Sequence, residues 1–277
     1  MPLNSVNTNV GAMVALQSLN KTSDELSATQ KRISTGYRVS DAKDDGAAFA
    51  VAERVRGEMA GTTSANEQLG GVKGLIDVTN AALENVSTTL QTLKTIVVKL
   101  ADATITDDQK TQYQTQVKEL TNNIKAFIDD ASYNGKNILD GSTSGTNTVV
   151  RNGQGVTYSF SSYAALDNIY NQVSSANTWS ASSAAAALSA SGVVTDAITN
   201  TLTQLNNFGS YSNYIDSQIN YNKAKIDAQE SGIGALVDAD LAKESAKLQS
   251  LQIRQQLGTQ ALSIANQAPQ TLLSLFR

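Results

Sequence analysis

The fold of this chain is decided by residues 236–277, which are LVDADLAKESAKLQSLQIRQQLGTQALSIANQAPQTLLSLFR. Steps of four and three through this stretch trace a seam that is apolar at most positions, the heptad spacing of a helix that packs along another helix. This heptad seam consists of Val237, Leu241, Glu244, Leu248, Leu251, Gln255, Gly258, Leu262 and Ala265. A second apolar row consists of Ile253, Leu257, Ala261, Ile264 and Ala268. Because one partner helix cannot cover both rows, the pattern predicts more than one neighbour.

A matching pattern lies near the N-terminus and predicts a first helix from about Ser5 to Gly36. Its seam consists of Ala12, Leu16, Leu19, Ser23, Leu26, Gln30 and Ile33. Gly36 suits the end of the helix, because glycine readily adopts the left-handed conformation found there. Two terminal helices of the same period are expected to lie together, with the middle of the chain looping out.

Composition excludes several classes of function. The chain has 277 residues with no histidine and no cysteine, so we expect no disulfide, no imidazole or thiolate catalysis, no metal site and no cofactor. The formal net charge of −4 argues against a nucleic-acid partner, which needs a basic face. No apolar run approaches the roughly 18 residues of a membrane span. The N-terminal residues lack the features of a cleaved signal peptide.

The middle of the chain is also predicted to be mainly helical. Asp41-Ala42-Lys43-Asp44-Asp45 is expected to open a second helix that runs to about Asp102, with Ser40 or Asp41 as its cap. A calcium loop over the same residues fails at Lys43 and at Ala52, where carboxylates are required. Thr106 is expected to cap a third helix from about Asp107 to Asp130.

One β-hairpin interrupts the helical pattern. Thr148 to Arg151 and Gly155 to Phe160 alternate as short strands around Asn152-Gly153, and Asn134-Gly135 has the composition of a tight turn. A short helix is expected from Tyr163 to Val173. A long helix is then expected from Ala184 to about Ser231, with Ser231-Gly232-Ile233-Gly234 linking it to the terminal helix.

The ordered motifs of the chain resemble those of bacterial flagellin. On the N-terminal side they are Val6-Asn7-Thr8-Asn9, Gln30-Lys31-Arg32-Ile33-Ser34-Thr35-Gly36-Tyr37-Arg38-Val39 and Ala42-Lys43-Asp44-Asp45-Gly46-Ala47-Ala48. The turn from Tyr133 to Gly141 is similar as well. On the C-terminal side they are Val237-Asp238-Ala239-Asp240-Leu241-Ala242-Lys243-Glu244 and Ala265-Asn266-Gln267-Ala268-Pro269-Gln270. The resemblance covers nearly everything except about residues 142–183.

This resemblance implies a mainly α fold, an elongated bundle of long helices with paired terminal helices and a small β-hairpin. Residues 1–40 and 236–277 would form an inner terminal-helix domain. Residues 41–235 would form a rod domain, with the hairpin at about 133–160 and a reduced variable segment at about 142–183. The implied product is a short flagellin with little or no outer-domain insertion.

The implied function is that of a structural subunit of the flagellar filament, the propeller for swimming, and not that of an enzyme. Its partners would be other flagellin copies, the flagellar export apparatus, the filament cap, the junction proteins and an export chaperone. The subunit would be secreted through the flagellar type III pathway without a cleaved signal peptide. Nucleic-acid binding and membrane insertion are not implied.

The expected subunit contacts lie on the terminal helices, whose wide apolar faces are poorly covered in a monomer. They are Leu16, Leu19, Leu26, Ile33, Val237, Leu241, Leu248, Leu251, Leu262, Leu272, Leu275 and Phe276. The helix-start and family-motif residues are Arg32, Arg38, Asp41, Asp44 and Asp45.

Three other classes of protein share part of this pattern. A hook–filament junction protein has similar terminal helices but forms a short ring. A generic coiled-coil adaptor or a pore-forming bundle has the periodicity without the ordered motifs. An enzyme would need a carboxylate pair such as Asp44 and Asp45, but adjacent residues on a helix do not face each other.

Overall fold

The structure is a computed structural model that describes residues 8–141 and 145–274, and for residues 268–274 it describes the backbone alone. Within these residues the α-helices are α1 (Val10–Thr35), α2 (Gly46–Leu100), α3 (Asp107–Asp129), α4 (Asn171–Val173), α5 (Ala181–Ala187), α6 (Val193–Val237) and α7 (Leu241–Ser274). The strands are β1 (Ser132–Tyr133), β2 (Lys136–Asn137), β3 (Thr146–Val150) and β4 (Thr157–Ser161). A π-helical turn spans Leu166–Tyr170, and a 3₁₀ turn spans Ala176–Thr178. The predicted fold class, mainly α with long helices and a small β-hairpin, is confirmed.

The chain divides into two compact units, which we call the terminal unit and the central unit. The terminal unit contains residues 1–57 and 228–277, and the central unit contains residues 58–227.

In the terminal unit, α1 and α7 form the predicted pair and run antiparallel. Near the start of α1, the Asn9 side-chain amide donates to the carbonyl of Ala265, at 2.7 Å. Near the end of α1, Arg32 lies 3.3 Å from the carboxylate of Glu244, in the first turn of α7. The side chain of Asn9 also accepts a hydrogen bond from the N–H of Ala12, so it caps α1 and ties it to α7 at once.

In the central unit, one face of α2 supplies most of the core. Fully buried apolar residues recur along it at heptad spacing, which places them on a single stripe. They are Leu69, Ile76, Leu83, Val86, Leu90, Leu93, Val97 and Leu100. Residues of α3 and α6 complete this core, among them Ile124, Ile128, Phe208 and Ile215.

The predicted β-hairpin is present as β3 and β4, which pair antiparallel from Thr146 opposite Ser161 to Val150 opposite Thr157. Its turn is held by the side chain of Asn152, which accepts hydrogen bonds from the N–H groups of Gln154 and Val156. The second residue of the turn, Gly153, lies directly on α2. A Cβ at Gly153 would stand 2.6 Å from the carbonyl oxygen of Glu58, so only glycine fits there.

A second, smaller hairpin joins β1 to β2. Ser132 pairs with Asn137 and Tyr133 with Lys136. Asn134 has φ 50° and Gly135 has φ 73°, the conformation of the type I′ turn that Asn-Gly favours.

The start of α2 differs from the prediction. Residues 41–44 form a separate turn, and the helix begins at Gly46. Its cap is Asp45, whose side-chain oxygen accepts hydrogen bonds from the N–H groups of Ala47 and Ala48. The prediction that Asp41 or Ser40 caps the helix is therefore wrong, because Asp41 and Asp44 are used within the preceding turn.

The boundaries of α6 also differ from the prediction. The helix does not begin at Ala184, because α5 ends at Ala187 and a tight turn follows. Gly192 closes that turn, where a Cβ would stand 2.3 Å from the carbonyl oxygen of Ala187. At its other end α6 continues through Gly232 and Gly234 to Val237, so the link to α7 is three residues long, 238–240.

Candidate assembly surface on the terminal helices

The α7 seam predicted from the sequence faces α1. Leu251 is 2% exposed, and Leu248, Leu262 and Ala265 are half-buried. Val237, the first residue of the predicted seam, is the last residue of α6 and is 1% exposed. Gly258 permits the closest approach, because a Cβ there would lie 3.2 Å from a methyl group of Leu19. Leu241 is the exception, since it is 49% exposed at the start of α7.

On α1 the contact face is shifted to one side of the predicted seam. Leu19, Leu26 and Ile33 are half-buried, as the seam requires, but Leu16 is 48% exposed. Ala12 and Ser23 of the predicted seam are half-buried as well, and Ala15, Thr22 and Thr29 turn inward beside them. Small side chains let two helix backbones approach closely, so the bulkier Leu16 is left on the outside.

Several large apolar side chains remain uncovered on the two helices. We call them together the outer apolar surface, and they are Val10, Met13, Val14 and Leu16 of α1 and Leu241, Ile253, Leu257 and Ile264 of α7. Their exposed fractions run from 48% at Leu16 to 68% at Ile264. Scattered exposed leucines are ordinary, but an extended apolar surface marks a site of association.

A groove of about 450 Å³ lies between the two helices beside this surface. Leu257, Gly258 and Ala261 form its α7 wall. Charged side chains lie around it, with Lys21 and Glu25 on α1 and Arg254 on α7. The groove therefore has an apolar stretch on its α7 side and a polar α1 side.

Backbone hydrogen bonds join the segment between α1 and α2 to the segment between α6 and α7. The N–H groups of Arg38 and Val39 both donate to the carbonyl of Val237, and the N–H of Ala239 donates to the carbonyl of Gly36. The Arg38 side chain donates to the carbonyl of Leu236. Arg38 is therefore a structural residue that fixes the link between α6 and α7.

The remaining motif residues, Asp41 and Asp44, bind Lys31 of α1. The Lys31 ammonium lies 2.7 Å from Asp41 and 3.1 Å from Asp44. The Asp44 carboxylate also accepts hydrogen bonds from the backbone N–H of Ser40, at 3.0 Å, and from its hydroxyl. The Ser40 N–H, followed by Lys31, lowers the pKa of Asp44 from 3.8 to about 2.

This lowered pKa predicts how the 40–44 turn responds to acid. Asp44 binds its proton less tightly in the folded turn than in the unfolded chain. Its contribution to the stability of the turn is therefore fully present above pH about 4 and is lost as the pH falls toward 2. We expect the Ser40 amide to lose protection from hydrogen exchange in that window. Asp44→Asn should remove the acid transition and leave the amide unprotected at neutral pH. A Ser40 amide whose protection does not change between pH 5 and 2 would contradict this account.

The ion pair between Arg32 and Glu244 links the two helices from within their contact. The Glu244 side chain is 12% exposed, and its second oxygen is buried without a hydrogen-bond partner. Arg32 was expected from the sequence only as a motif residue, and its ion pair with Glu244 was not predicted. The signal that could have indicated the pair was the opposite charge of the two residues on helices that were expected to face each other. A partly buried carboxylate with one partner depends strongly on that partner.

We expect Arg32→Met to destabilise the α1–α7 pair by about 1 to 2 kcal/mol, because the Glu244 carboxylate then stays buried and unpaired. Amide hydrogen exchange along both helices measures this loss. The double variant Arg32→Met/Glu244→Leu should recover most of it, since no buried charge remains. Equal destabilisation in the single and double variants would show that the pair does not stabilise the contact.

Three of the predicted contact residues lie near the end of the chain. Leu272 lies in α7, but its side chain is not described, and Leu275 and Phe276 lie outside the described residues. Among the described residues, no group of His, Cys, Asp or Glu could hold a metal ion. A search of the same residues finds no helix long and apolar enough to cross a membrane.

Comparison with known families matches both ends of the chain. The model of the bacterial flagellin N-terminal helical region matches residues 6–144, and that of the C-terminal helical region matches residues 191–276. The chain belongs to the bacterial flagellin family. It is a structural subunit of the flagellar filament, and the resemblance seen in the sequence is confirmed.

Curated flagellins of similar length match over the whole chain. Flagellin FljK of Caulobacter vibrioides is 37% identical over 278 residues, with all of both chains covered. Flagellin of Brucella melitensis is 35% identical over 281 residues, with 99% of each chain covered. The short form predicted from the sequence is therefore confirmed.

Solved structures support the same fold at low sequence identity. A putative flagellar hook-associated protein from Vibrio parahaemolyticus aligns with a TM-score of 0.56 and 14% identity, covering 70% of this flagellin and 100% of that chain. Bacillus cereus flagellin aligns with a TM-score of 0.50 and 15% identity, covering 56% and 88%. These likenesses concern fold alone and do not favour the junction protein over flagellin.

Proposed function

We propose that this flagellin assembles into the filament through the outer apolar surface of the α1–α7 pair. The observation that carries the proposal is the exposure of that surface, which includes Met13 at 65% and Ile264 at 68%. Burial of apolar area stabilises contacts by about 25 cal/mol per Å². A contact repeated by every subunit therefore holds a polymer together without covalent links.

The sparse core of the pair supports this proposal. Thr29 is the one fully buried residue of α1, and Leu251 is the one in α7 among its described side chains. An isolated helix pair with so few buried contacts has little stability of its own. Neighbouring copies would supply the missing cover, in the head-to-tail arrangement that generates open helical filaments.

The subunit-contact residues predicted from the sequence fall into two groups under this proposal. Leu16 and Leu241 belong to the outer apolar surface and would touch other copies directly. Leu19, Leu26, Ile33, Val237, Leu248, Leu251 and Leu262 would hold the pair together and shape that surface. Leu272, Leu275 and Phe276 remain predicted subunit contacts.

We propose the corresponding division into domains, with residues 1–40 and 236–277 forming the inner terminal-helix domain and residues 41–235 the rod domain. The two compact units support a division of this kind, although they divide at 57/58 and 227/228, within α2 and α6. The reduced variable segment, about 142–183, would contain the π-helical turn and the short helix α4.

The proposed function includes export of the subunit from the cell. The subunit would leave the cell through the flagellar type III pathway, with an export chaperone, and would be added beneath the filament cap beyond the junction proteins. The family membership supports an extracellular filament as the destination. The absence of cysteine is compatible with passage as an unfolded chain, because no disulfide has to form or break.

Hydroxyl-radical footprinting of monomer and polymer tests the assembly surface. Radical oxidation of Met13, Ile253 and Leu257 should be strong in the monomer and should fall severalfold in the filament, because other copies cover these side chains. Leu251, already 2% exposed, is the internal reference and should react weakly in both states. Unchanged oxidation of all three exposed residues on assembly would contradict the proposal.

The junction-protein alternative predicts a different assembly. A ring buries the same helices but stops growing after one closed turn, whereas a filament grows with subunit concentration. Sedimentation of the purified chain at increasing concentration distinguishes the two, because only a filament shows continued growth above a critical concentration.

A further inference from the structure

A second groove, in the central unit, has no role in the assembly surface described above. It has a volume of about 450 Å³ and lies beside α2, the β1–β2 turn and β3. Gln68, Val72 and Leu75 form the α2 side, Tyr133 and Lys136 the turn side, and Asn147 the strand side. We call it the hairpin groove.

The wall formed by Tyr133 is fixed in place by a glycine of α2. A Cβ at Gly74 would lie 2.9 Å from the Tyr133 ring, so the ring rests directly on the helix backbone. Tyr133 is nevertheless 42% exposed, so part of it remains available for contact. A groove with a rigid aromatic wall is preorganised for contact, since little side-chain freedom is lost on binding.

The hairpin groove presents hydrogen-bond donors that the described chain does not use. The side-chain amide nitrogen of Asn147 is buried and has no partner. Lys136 forms no ion pair among the described residues. None of the residues lining the groove is acidic. A buried amide without an acceptor costs about 1 to 3 kcal/mol, so an acceptor from outside is strongly favoured.

The backbone of β3 adds to this set of donors. The Gly145 carbonyl accepts a hydrogen bond from the N–H of Ser162, and the N–H of Arg151 donates to the carbonyl of Val156. Bonded residues alternate along an antiparallel strand. The intervening residue Thr148 therefore does not use its N–H toward β4. Thr148 also lines the groove. An acceptor that carries negative charge complements all of these groups.

From this complementarity we infer that the hairpin groove binds a carboxylate side chain of a second copy of this chain. The inference rests on the filament function, which places copies of the chain against one another at very high local concentration. Each copy carries 25 Asp and Glu against 21 Lys and Arg, so acidic groups are in excess on every neighbour. The contact is distinct from the outer apolar surface, because it joins residues of the central unit by charge and hydrogen bonding.

Zero-length carbodiimide cross-linking of assembled filaments tests the inference, because the reagent joins only amines and carboxylates in contact. Filaments are grown from an equal mixture of ¹⁵N-labelled and unlabelled chains, so that mixed-isotope peptide pairs identify links between copies. We expect Lys136 linked to an Asp or Glu of a second copy. Lys31, which lies 2.7 Å from Asp41 in the same chain, is the positive control. Lys31 links without an intercopy Lys136 link overturn the inference.

Two variants test the same contact by its effect on assembly. Asn147→Leu removes the buried unpaired amide, so the monomer should be as stable as the parent or more stable. The critical concentration for filament growth should nevertheless rise by about five- to tenfold, and Lys136→Gln should act in the same direction. Lys118→Gln, at an exposed position on α3, has the same charge change and should have no effect.

The outcomes separate this inference from the filament function itself. Filaments that form equally well from the parent and both groove variants overturn the hairpin-groove contact and leave the function intact. A parent chain that forms no filament overturns both. Thermal unfolding of each monomer shows whether a loss of assembly reflects misfolding, and an unfolded Asn147→Leu monomer contradicts the predicted neutral effect of that substitution.

Discussion

Leu257→Glu is expected to abolish filament growth while leaving the monomer folded. Leu257 is 58% exposed on α7, so the new carboxylate is solvated in the monomer and costs little. In the filament the same position would be covered by another copy, and an unpaired charge buried there costs several kcal/mol. Because every subunit carries the change, the critical concentration should rise by at least about 100-fold. Sedimentation measures that rise, and circular dichroism measures the fold.

A matched control variant distinguishes the effect of the position of the substitution from the effect of the added charge. Gln252→Glu adds a carboxylate to the same helix, at an exposed residue on its polar side. The helical repeat places Gln252 well away from Leu257, outside the apolar row. This variant should assemble like the parent. Equal loss of assembly in both variants would show that net charge, and not the outer apolar surface, controls polymerisation.

The second large effect concerns the turn of the main hairpin. Gly153→Ala is expected to destabilise the central unit by about 3 kcal/mol, because a Cβ there meets backbone atoms that cannot move aside. It would stand 2.6 Å from the carbonyl oxygen of Glu58 and 2.7 Å from the amide nitrogen of Thr62. The hairpin must then lift from α2, and the hydrogen bond from Asn222 to the Arg151 carbonyl is strained with it. Urea unfolding of the parent and the variant measures the difference.

Gly70→Ala is the control for this substitution, since it places the same methyl group on α2 where nothing lies within 4 Å. Alanine has a higher helix propensity than glycine, so this variant should be more stable by about 0.5 to 1 kcal/mol. The two substitutions are thus expected to change stability in opposite directions. A Gly153→Ala variant as stable as the parent would mean that the hairpin is not docked on α2 in solution.

The terminal helices were predictable because their apolar residues follow one period over many turns. The helix end at Gly36, the capping of α3 by Thr106 and the Asn152-Gly153 hairpin were predictable because each depends on a few adjacent residues. The local sequence could not show whether Leu16 or Ala15 lies on the face of α1 that contacts α7. That choice depends on how closely α7 approaches, which is a property of both helices together.

Other differences have the same origin. Asp41, Asp44 and Asp45 all suit a helix start, but Lys31 of α1 binds the first two and leaves Asp45 as the cap. Gly232 and Gly234 suggested a break, yet α6 continues through them to Val237. Asp240 then caps α7. The hairpin groove was not predictable at all, since Lys136 and Asn147 come together only when the two hairpins fold onto α2.

Electron microscopy of the purified full-length chain after salting out, beside a chain that ends before Leu236, tests the central claim most directly. The terminal helices are proposed as the source of assembly, so long uniform filaments should form from the full-length chain alone. Rings or small oligomers from the full-length chain, or the same behaviour in both chains, would contradict assembly through the α1–α7 pair.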